Sequence, residues 1–167
     1  VRASAVPIKP PCFAEVKSCN YLPNVLMKKE AADLRVDFVA GFDERGFLAE
    51  GASENMGIVT RRRELLFPKL EHVLAGTTML RVMDLAKAQV KSGELARVGF
   101  ADISRRDILK AAEMLIVGTT PNVTAAREFD GKPIADGRPG PIYHKLSTLL
   151  LSDIHHNRIV LTPALCQ

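Results

Sequence analysis

The sequence has little aromatic character, few cysteines and no long apolar run. Trp is absent and aromatic residues make up 5% of the chain, which argues against a stacking platform for single-stranded nucleic acid. Cys12, Cys19 and Cys166 are odd in number and lack metal-ligand spacing, so neither a disulfide framework nor a zinc site is predicted. No apolar stretch approaches the ~18 residues of a membrane-spanning helix. The expected partners therefore include no nucleic acid, no membrane and no metal.

The remaining composition is that of one globular domain. With 167 residues, of which 47% are hydrophobic and 25% charged, the chain is long enough to bury a core. Its formal net charge of +4 suits a phosphate-bearing ligand but is too small for a nucleic-acid footprint. The chain begins at Val1 in a strand-like alternation, so we expect the gene product to extend upstream.

Strands and helices are predicted to alternate along the chain. Apolar and β-branched runs bounded by turn residues predict strands over 1–8, 36–42, 47–50, 56–60 and 114–117, and in a stretch ending at Phe129. A loop is expected from the Pro-Pro pair at 10–11 through Ser18. The three arginines at 61–63 separate two apolar runs and predict a solvated hairpin tip.

Helices are predicted at 20–34, after Gly76, from Ser104 and from the Gly-Pro pair at 140–141. In the first of these, Leu22, Val25 and Leu26 share one face, which we expect to be the apolar one. Ser104 and the aspartate three residues later form a capping-box pattern. Interleaved elements without a linker or repeat predict a single α/β or α+β lobe.

Two charged residues are candidates for chemistry. Lys17 lies just before a predicted helix, where partial burial of its amine would favour a nucleophile. Glu50 ends a predicted strand, where its carboxylate would pair with a heterocyclic nitrogen. Each also has an ordinary explanation, since most single lysines are solvated charges and acids are common in turns.

Two Gly-Thr-Thr segments are candidates for binding a phosphate. Segment 76–78 starts a predicted helix, where main-chain N–H groups and the helix dipole favour an anion. Segment 118–120 follows a predicted buried strand and offers further small donors. Taken separately, a threonine cap and an ordinary loop explain them equally well.

The order and spacing of these features resemble those of the class IV aminotransferases. Segment 17–26, KSCNYLPNVL, is similar to the family's Schiff-base lysine segment, and segment 46–51, GFLAEG, to its cofactor-nitrogen segment. The resemblance continues through 74–78, 112–114, 118–120, 130–134 and 137–141, and so covers nearly the whole chain. It is nearest to the plant branched-chain-aminotransferase-like members, a group that includes D-amino-acid aminotransferases and aminodeoxychorismate lyases.

The resemblance implies that residues 1–167 are the C-terminal, cofactor-carrying lobe of that fold, without the family's N-terminal lobe. The implied fold is an α/β (α+β) lobe with a mixed sheet or pseudo-barrel and flanking helices. Pyridoxal 5'-phosphate is the implied cofactor, with Lys17 as its covalent attachment and as the catalytic base. The implied cofactor-binding residues are Lys17, Tyr21, Glu50, Asn55, Gly76, Thr77, Thr78, Thr119 and Thr120.

The implied reaction is transamination between a branched-chain or D-amino acid and a 2-oxo acid. Two alternatives stay open. The first is an aminodeoxychorismate lyase, which releases 4-aminobenzoate and pyruvate by elimination, and the second is a non-catalytic remnant that lacks the first lobe. The resemblance further implies a homodimer for the full enzyme and a plastid or cytoplasmic location.

Overall fold

The computed structural model describes residues 1–14 and 16–157 of the chain. Cys166 therefore lies outside the described residues. Cys12 and Cys19 are exposed free thiols. In the described ranges, no helix is both long and apolar enough to cross a membrane.

Helices and strands alternate, as the sequence predicts. The described helices are α1 (Pro11–Ala14), α2 (Leu22–Asp33), α3 (Thr77–Lys91), α4 (Arg105–Lys110) and α5 (Pro141–His156), with a 3-10 turn at Leu70–His72. The described strands are β1 (Arg2–Ala3), β2 (Val39–Ala40), β3 (Asn55–Val59), β4 (Glu64–Pro68), β5 (Arg97–Ala101), β6 (Glu113–Gly118), β7 (Asn122–Ala126), β8 (Glu128–Phe129) and β9 (Lys132–Pro133).

The main sheet has five strands in the order β5-β4-β3-β6-β7. β3 runs antiparallel to both β4 and β6, whereas β4 and β5 are parallel and α3 connects them. All of β3 and nearly all of β6 is buried, because both strands lie inside the sheet with packing on each face. The predicted mixed-sheet α/β lobe is confirmed.

Two core layers lie on opposite faces of this sheet. Along β6, Met114 and Ile116 belong to one layer and Leu115 and Val117 to the other, as the two-residue period of a strand requires. Helices α3 and α5 cover the second layer. The β3–β6 register pairs Asn55 with Val117, so the start of β3, the end of β6 and the turn beyond it share one edge of the sheet.

Several local predictions are confirmed. Ser104 and Asp107 form the predicted capping box at the start of α4. The arginines at 61–63 are exposed and lie at the tip of the β3–β4 hairpin. Helices α3 and α5 begin where predicted, and the first N–H groups of α5 donate to the buried carboxylate of Glu113, over 2.9 Å from Ile142 and 2.7 Å from Tyr143.

The strand predicted over 1–8 is wrong beyond Ala3. The N–H of Ala5 donates to Oε1 of Glu30 on α2 over 2.8 Å instead of to a neighbouring strand. Pro7 and Pro10 have no N–H to donate, so the segment cannot continue a ladder. The predicted strand 36–42 likewise keeps only β2, segment 47–50 forms only isolated bridges, and α1 lies within the predicted loop.

Helix α2 exists as predicted but packs through a different face. Leu22, Val25 and Leu26 are 62%, 56% and 44% exposed, whereas Met27 and Ala31 are buried. Met27 and Ala31 pack in a small cluster with residues of β2 and of the turn after Glu50. The local apolar pattern therefore predicted a helix correctly but indicated the wrong buried face.

Candidate active site

One cleft at the edge of the main sheet contains most of the predicted site residues. Its volume is about 210 Å³. It is bounded by the segment before α1, the start of α2, the turn after Glu50, the start of α3 and the β6–β7 turn. The predicted residues that line it are Lys17, Tyr21, Glu50, Asn55, Gly76, Thr77, Thr78 and Thr119.

Glu50 is a half-buried acid of this cleft, with a side chain that is 13% exposed. A turn over 51–54 leads from it back into β3, and it forms an isolated antiparallel bridge with Asn55. Its Oε2 accepts a hydrogen bond from the N–H of Leu74 over 3.1 Å, and its Oε1 lies 3.6 Å from Nζ of Lys9. Burial raises the pKa of Glu50 above the ordinary carboxyl value, and the Leu74 N–H, Lys9 and Lys17 oppose that rise.

Lys17 lies in the loop between α1 and α2 and lines the same cleft as Glu50. Its side chain is exposed, so the partial burial expected from the sequence is not observed. Residues 16 and 18–20 are exposed as well, so this loop is a surface segment and does not bury the Lys17 side chain. Within the described ranges its amine has no ion-pair or hydrogen-bond partner, which leaves it available to a ligand.

Asn55 begins β3 and fixes the segment that leads into α3. Its Nδ2 donates to the carbonyl oxygen of Leu74 over 2.9 Å. A Cβ at Gly76 would overlap the Oδ1 of Asn55, so the close approach requires glycine there. The side chains of Glu50 and Asn55 thus hold the main chain of Leu74 from both sides, through its N–H and its carbonyl.

The N-terminus of α3 opens into the cleft without a side-chain cap. Gly76 is the N-cap residue, and no side chain accepts from the first N–H groups of the helix. Thr77 and Thr78 therefore do not act as caps, contrary to their ordinary explanation. Gly118 and Thr119, at the β6–β7 turn, line the cleft together with them. Uncapped helical donors and small turn residues favour an anion at this end.

Thr120 lies apart from the other predicted residues. It lines a second, larger cavity of about 1200 Å³, bounded by β7 and by residues 35–38, and not the cleft. The reason is the tight turn at 119–120, which reverses the chain into β7 and separates the two threonines. Ser53 and Glu54 line both cavities.

The fold also brings into the cleft residues that the sequence did not single out, and Lys9 and Asn24 are two of them. Lys9 is half-buried beside Glu50. The available signal in the sequence was Pro10, which restricts the backbone of Lys9 and so indicates a fixed chain at that residue. Asn24 is buried on α2, donates to the carbonyl of Ala52 and leaves its Oδ1 without a partner. The available signal for Asn24 was its position three residues after Tyr21, which puts both residues on the same side of the helix.

These groups fit pyridoxal 5'-phosphate. The uncapped start of α3 suits its phosphate, the half-buried Glu50 suits a protonated ring nitrogen, and the amine of Lys17 suits its aldehyde. The unpartnered Oδ1 of Asn24 is a buried acceptor that a ligand would satisfy. Among the described residues, no group of three His, Cys, Asp or Glu side chains is placed to hold a metal ion.

Comparison with known proteins assigns the family. The family model for amino-transferase class IV matches residues 2–129. The chain belongs to this family. A chloroplastic D-amino-acid transaminase of Arabidopsis thaliana is 39% identical over 155 residues, covering 92% of this chain and 42% of that protein. A D-alanine aminotransferase of Bacillus licheniformis is 29% identical over 140 residues, covering 84% and 47%.

Solved structures agree with the family assignment. A branched-chain amino acid aminotransferase solved with pyridoxamine 5'-phosphate superimposes with a TM-score of 0.85 and 26% identity, covering 94% of this chain and 51% of that one. The branched-chain amino acid aminotransferase from Escherichia coli superimposes with a TM-score of 0.82 and 26% identity, covering 91% and 51%. Pyridoxal phosphate is the cofactor of class IV aminotransferases. The chain spans about half the length of the relatives it matches.

Proposed function

We propose that this protein is a pyridoxal-phosphate-dependent aminotransferase whose cofactor is attached to Lys17. One observation supports this most strongly. Lys17, Glu50, the uncapped start of α3 and the Gly118–Thr119 turn come from distant parts of the sequence and line a single cleft. An attachment point, a partner for the ring nitrogen and a phosphate site are the three features that such a cofactor needs.

Lys17 serves twice in this proposal. When bound, pyridoxal phosphate supplies an aldehyde for attachment and a ring that accepts the electrons released when the substrate Cα loses its proton. The Lys17 amine holds the cofactor at rest. Once the substrate amine has replaced it, the same amine takes the proton from Cα and later returns it as a general base and acid.

Glu50 and Tyr21 are proposed to tune the ring. Glu50, as a half-buried carboxylate, holds a proton at the ring nitrogen and so favours the uptake of electrons from Cα. Tyr21 lies at the N-cap of α2 and lines the cleft. Its hydroxyl is proposed to donate to the ring oxygen. Asn55 acts through Leu74: its side chain holds the carbonyl of Leu74, while Glu50 holds the N–H of the same residue.

The phosphate is proposed to lie at the start of α3. Main-chain N–H groups after Gly76, with the hydroxyls of Thr77, Thr78 and Thr119, would hold it. Thr120 keeps its predicted role only if binding draws it toward the cleft, since it lines the other cavity. Fixing the phosphate fixes the ring, so the bond to be broken at Cα stays aligned with the ring's π system.

A D-amino acid is the favoured substrate class, with a 2-oxo acid as amino acceptor. The relative named a D-amino-acid transaminase is 39% identical, whereas the branched-chain aminotransferases of Aquifex aeolicus and Methanocaldococcus jannaschii are 30% and 34% identical over shorter stretches. We further propose that the described lobe works with an N-terminal lobe in a homodimer. A plastid location is favoured over the cytoplasm because the Arabidopsis relative is chloroplastic.

Borohydride reduction tests the proposal. The full-length protein is incubated with pyridoxal phosphate, reduced, digested and mapped by mass spectrometry. We expect one stable adduct on Lys17, which Lys17→Arg removes and which the matched variant Lys28→Met, on the exposed side of α2, retains. An adduct on another lysine, or none in the wild-type protein, would contradict the proposal.

A half-reaction distinguishes the substrate and the reaction. D-Alanine is expected to convert the bound cofactor to pyridoxamine phosphate faster than L-leucine does, as read from absorbance. A faster reaction with L-leucine would favour a branched-chain aminotransferase. Stoichiometric pyruvate and 4-aminobenzoate from aminodeoxychorismate, with no pyridoxamine phosphate from any amino acid, would instead indicate the lyase.

A further inference from the structure

Lys9 is a second lysine in the cleft, with a side chain that is only 15% exposed. It lies in the extended segment between β1 and α1. Pro10 follows it and restricts its backbone to extended conformations. Ile8 packs where a side chain at position 41 would lie, a space that Gly41 leaves open. The chain around Lys9 is therefore fixed by its neighbours, and its amine is directed toward Glu50.

The two oxygens of Glu50 have different partners. Oε2 accepts from the main-chain N–H of Leu74, and Oε1 lies 3.6 Å from Nζ of Lys9. The Glu50 side chain is 13% exposed, so water screens this pair weakly. Oε1 has no main-chain donor among the hydrogen bonds of the described residues, and it is thus the oxygen that a cationic ligand would share with Lys9.

We propose that Lys9 is a positioning residue that keeps Glu50 ionised and thereby sets the lowest pH at which Glu50 can hold the cofactor's ring nitrogen. This inference rests on the proposed function and adds a residue to it. Burial alone favours the neutral carboxylic acid, which cannot pair with a protonated ring. A fixed positive charge beside Oε1 opposes that tendency without itself touching the reacting atoms.

Other titratable groups surround Glu50 and must be held constant in a test. Lys17 lies in the loop before α2, and its charge lowers the pKa of Glu50 less than Lys9 does. Tyr21 at the N-cap of α2 and Glu54 in the turn after Glu50 line the same cleft. Because all three stay in place when Lys9 is replaced, a difference between variant and wild type reports the Lys9 charge.

Cofactor affinity as a function of pH tests this inference on the full-length protein. Dissociation constants for pyridoxal phosphate are measured between about pH 5 and pH 9. For Lys9→Met we expect the acidic midpoint of binding to rise by about one pH unit, because an opposite charge at this distance lowers a carboxyl pKa by about 1–3 units. Lys9→Arg is expected to restore the wild-type midpoint.

Lys28→Met is the matched control. Lys28 Nζ lies 3.3 Å from Oε1 of Glu54, so this variant also removes a lysine–glutamate pair but leaves Glu50 untouched. Its midpoint is expected to equal that of the wild type. If Lys9→Met gives no folded protein, Lys9→Gln removes the same charge and reports the same shift.

Three outcomes decide the matter. An unchanged midpoint in a folded Lys9→Met or Lys9→Gln protein overturns the role of Lys9. So does an equal shift in Lys28→Met, or no restoration by Lys9→Arg, since either would indicate a merely structural effect. The proposed function fails separately, when the wild-type protein forms no adduct on Lys17.

Discussion

The main-chain N–H of Leu74 donates to Oε2 of Glu50 over 3.1 Å, and this bond connects the two ends of the proposed cofactor site. Glu50 lies at the end proposed for the ring nitrogen, and Leu74 leads directly into α3, at the end proposed for the phosphate. Asn55 holds the carbonyl of the same residue over 2.9 Å. The distance between the two ends is thus set by one residue's main chain.

Gly76→Ala tests this connection. The new Cβ would overlap Oδ1 of Asn55, so the segment before α3 must shift. We expect a loss of ~1–3 kcal/mol in the free energy of unfolding, together with weaker cofactor binding. Urea unfolding and cofactor titration measure the two effects. Gly99→Ala is the control, because a Cβ there meets only an arginine nitrogen at 3.8 Å. Equal effects in both variants would contradict the predicted overlap.

Glu50→Gln is expected to slow turnover much more than it weakens cofactor binding. A neutral amide keeps the size of the side chain but cannot stabilise a protonated ring nitrogen. We expect weaker cofactor binding than in the wild type, without the acidic midpoint assigned to Glu50, because Lys17 and the phosphate site still hold the cofactor. We expect kcat to decrease by about 100-fold. Glu64→Gln removes a carboxylate that pairs with Arg97 away from the cleft and should leave kcat unchanged. Wild-type turnover in Glu50→Gln would indicate that Glu50 is only a turn residue.

Thr119→Val is expected to weaken cofactor binding. The substitution preserves the shape of the side chain and removes a hydroxyl proposed to donate to the phosphate. Loss of one hydrogen bond to a charged group predicts a dissociation constant about 10-fold higher. Thr148→Val serves as the control, since its hydroxyl bonds the carbonyl of His144 on α5. Unchanged affinity in Thr119→Val would exclude the Thr119 hydroxyl from phosphate binding.

Asp153 is expected to stabilise the fold in a pH-dependent way. Hydrogen bonds from Arg81, over 2.8 Å from its Nε, and from Asn157 lower the pKa of Asp153 to about 2. Because the folded pKa lies below the unfolded one, this stabilisation is complete above about pH 4 and is lost as the pH falls toward about 2. It joins α3 to α5.

Asp153→Asn should therefore be less stable than the wild type at pH 6, and the difference should shrink as the pH is lowered to 2. Thermal unfolding across this range measures it. Asp33→Asn, which removes an exposed pair with Lys29, is expected to change little. A stability difference that is the same at pH 6 and pH 2 would contradict the role of the ionised carboxylate.

Much of the fold is determined by short stretches of sequence. The capping box at Ser104, the hairpin tip at 61–63 and the starts of α3 and α5 each depend on residues within a few positions of one another. Hydrogen bonding and side-chain periodicity act over this range, so these elements were predicted correctly. The family was likewise indicated by ordered motifs, and the comparisons confirmed it.

Tertiary packing decided the rest. The buried face of α2 is set by contacts with β2, which no pattern within the helix encodes. The apolar stripe of α2 therefore predicted the wrong buried face. Lys17 is exposed and Lys9 is half-buried because the chain path, and not local composition, determines which amine lies against Glu50. The sequence alone determined which chemical groups are present and in what order. Only the folded chain determined which of them meet, because burial and ion pairing depend on distances between segments that are far apart in sequence.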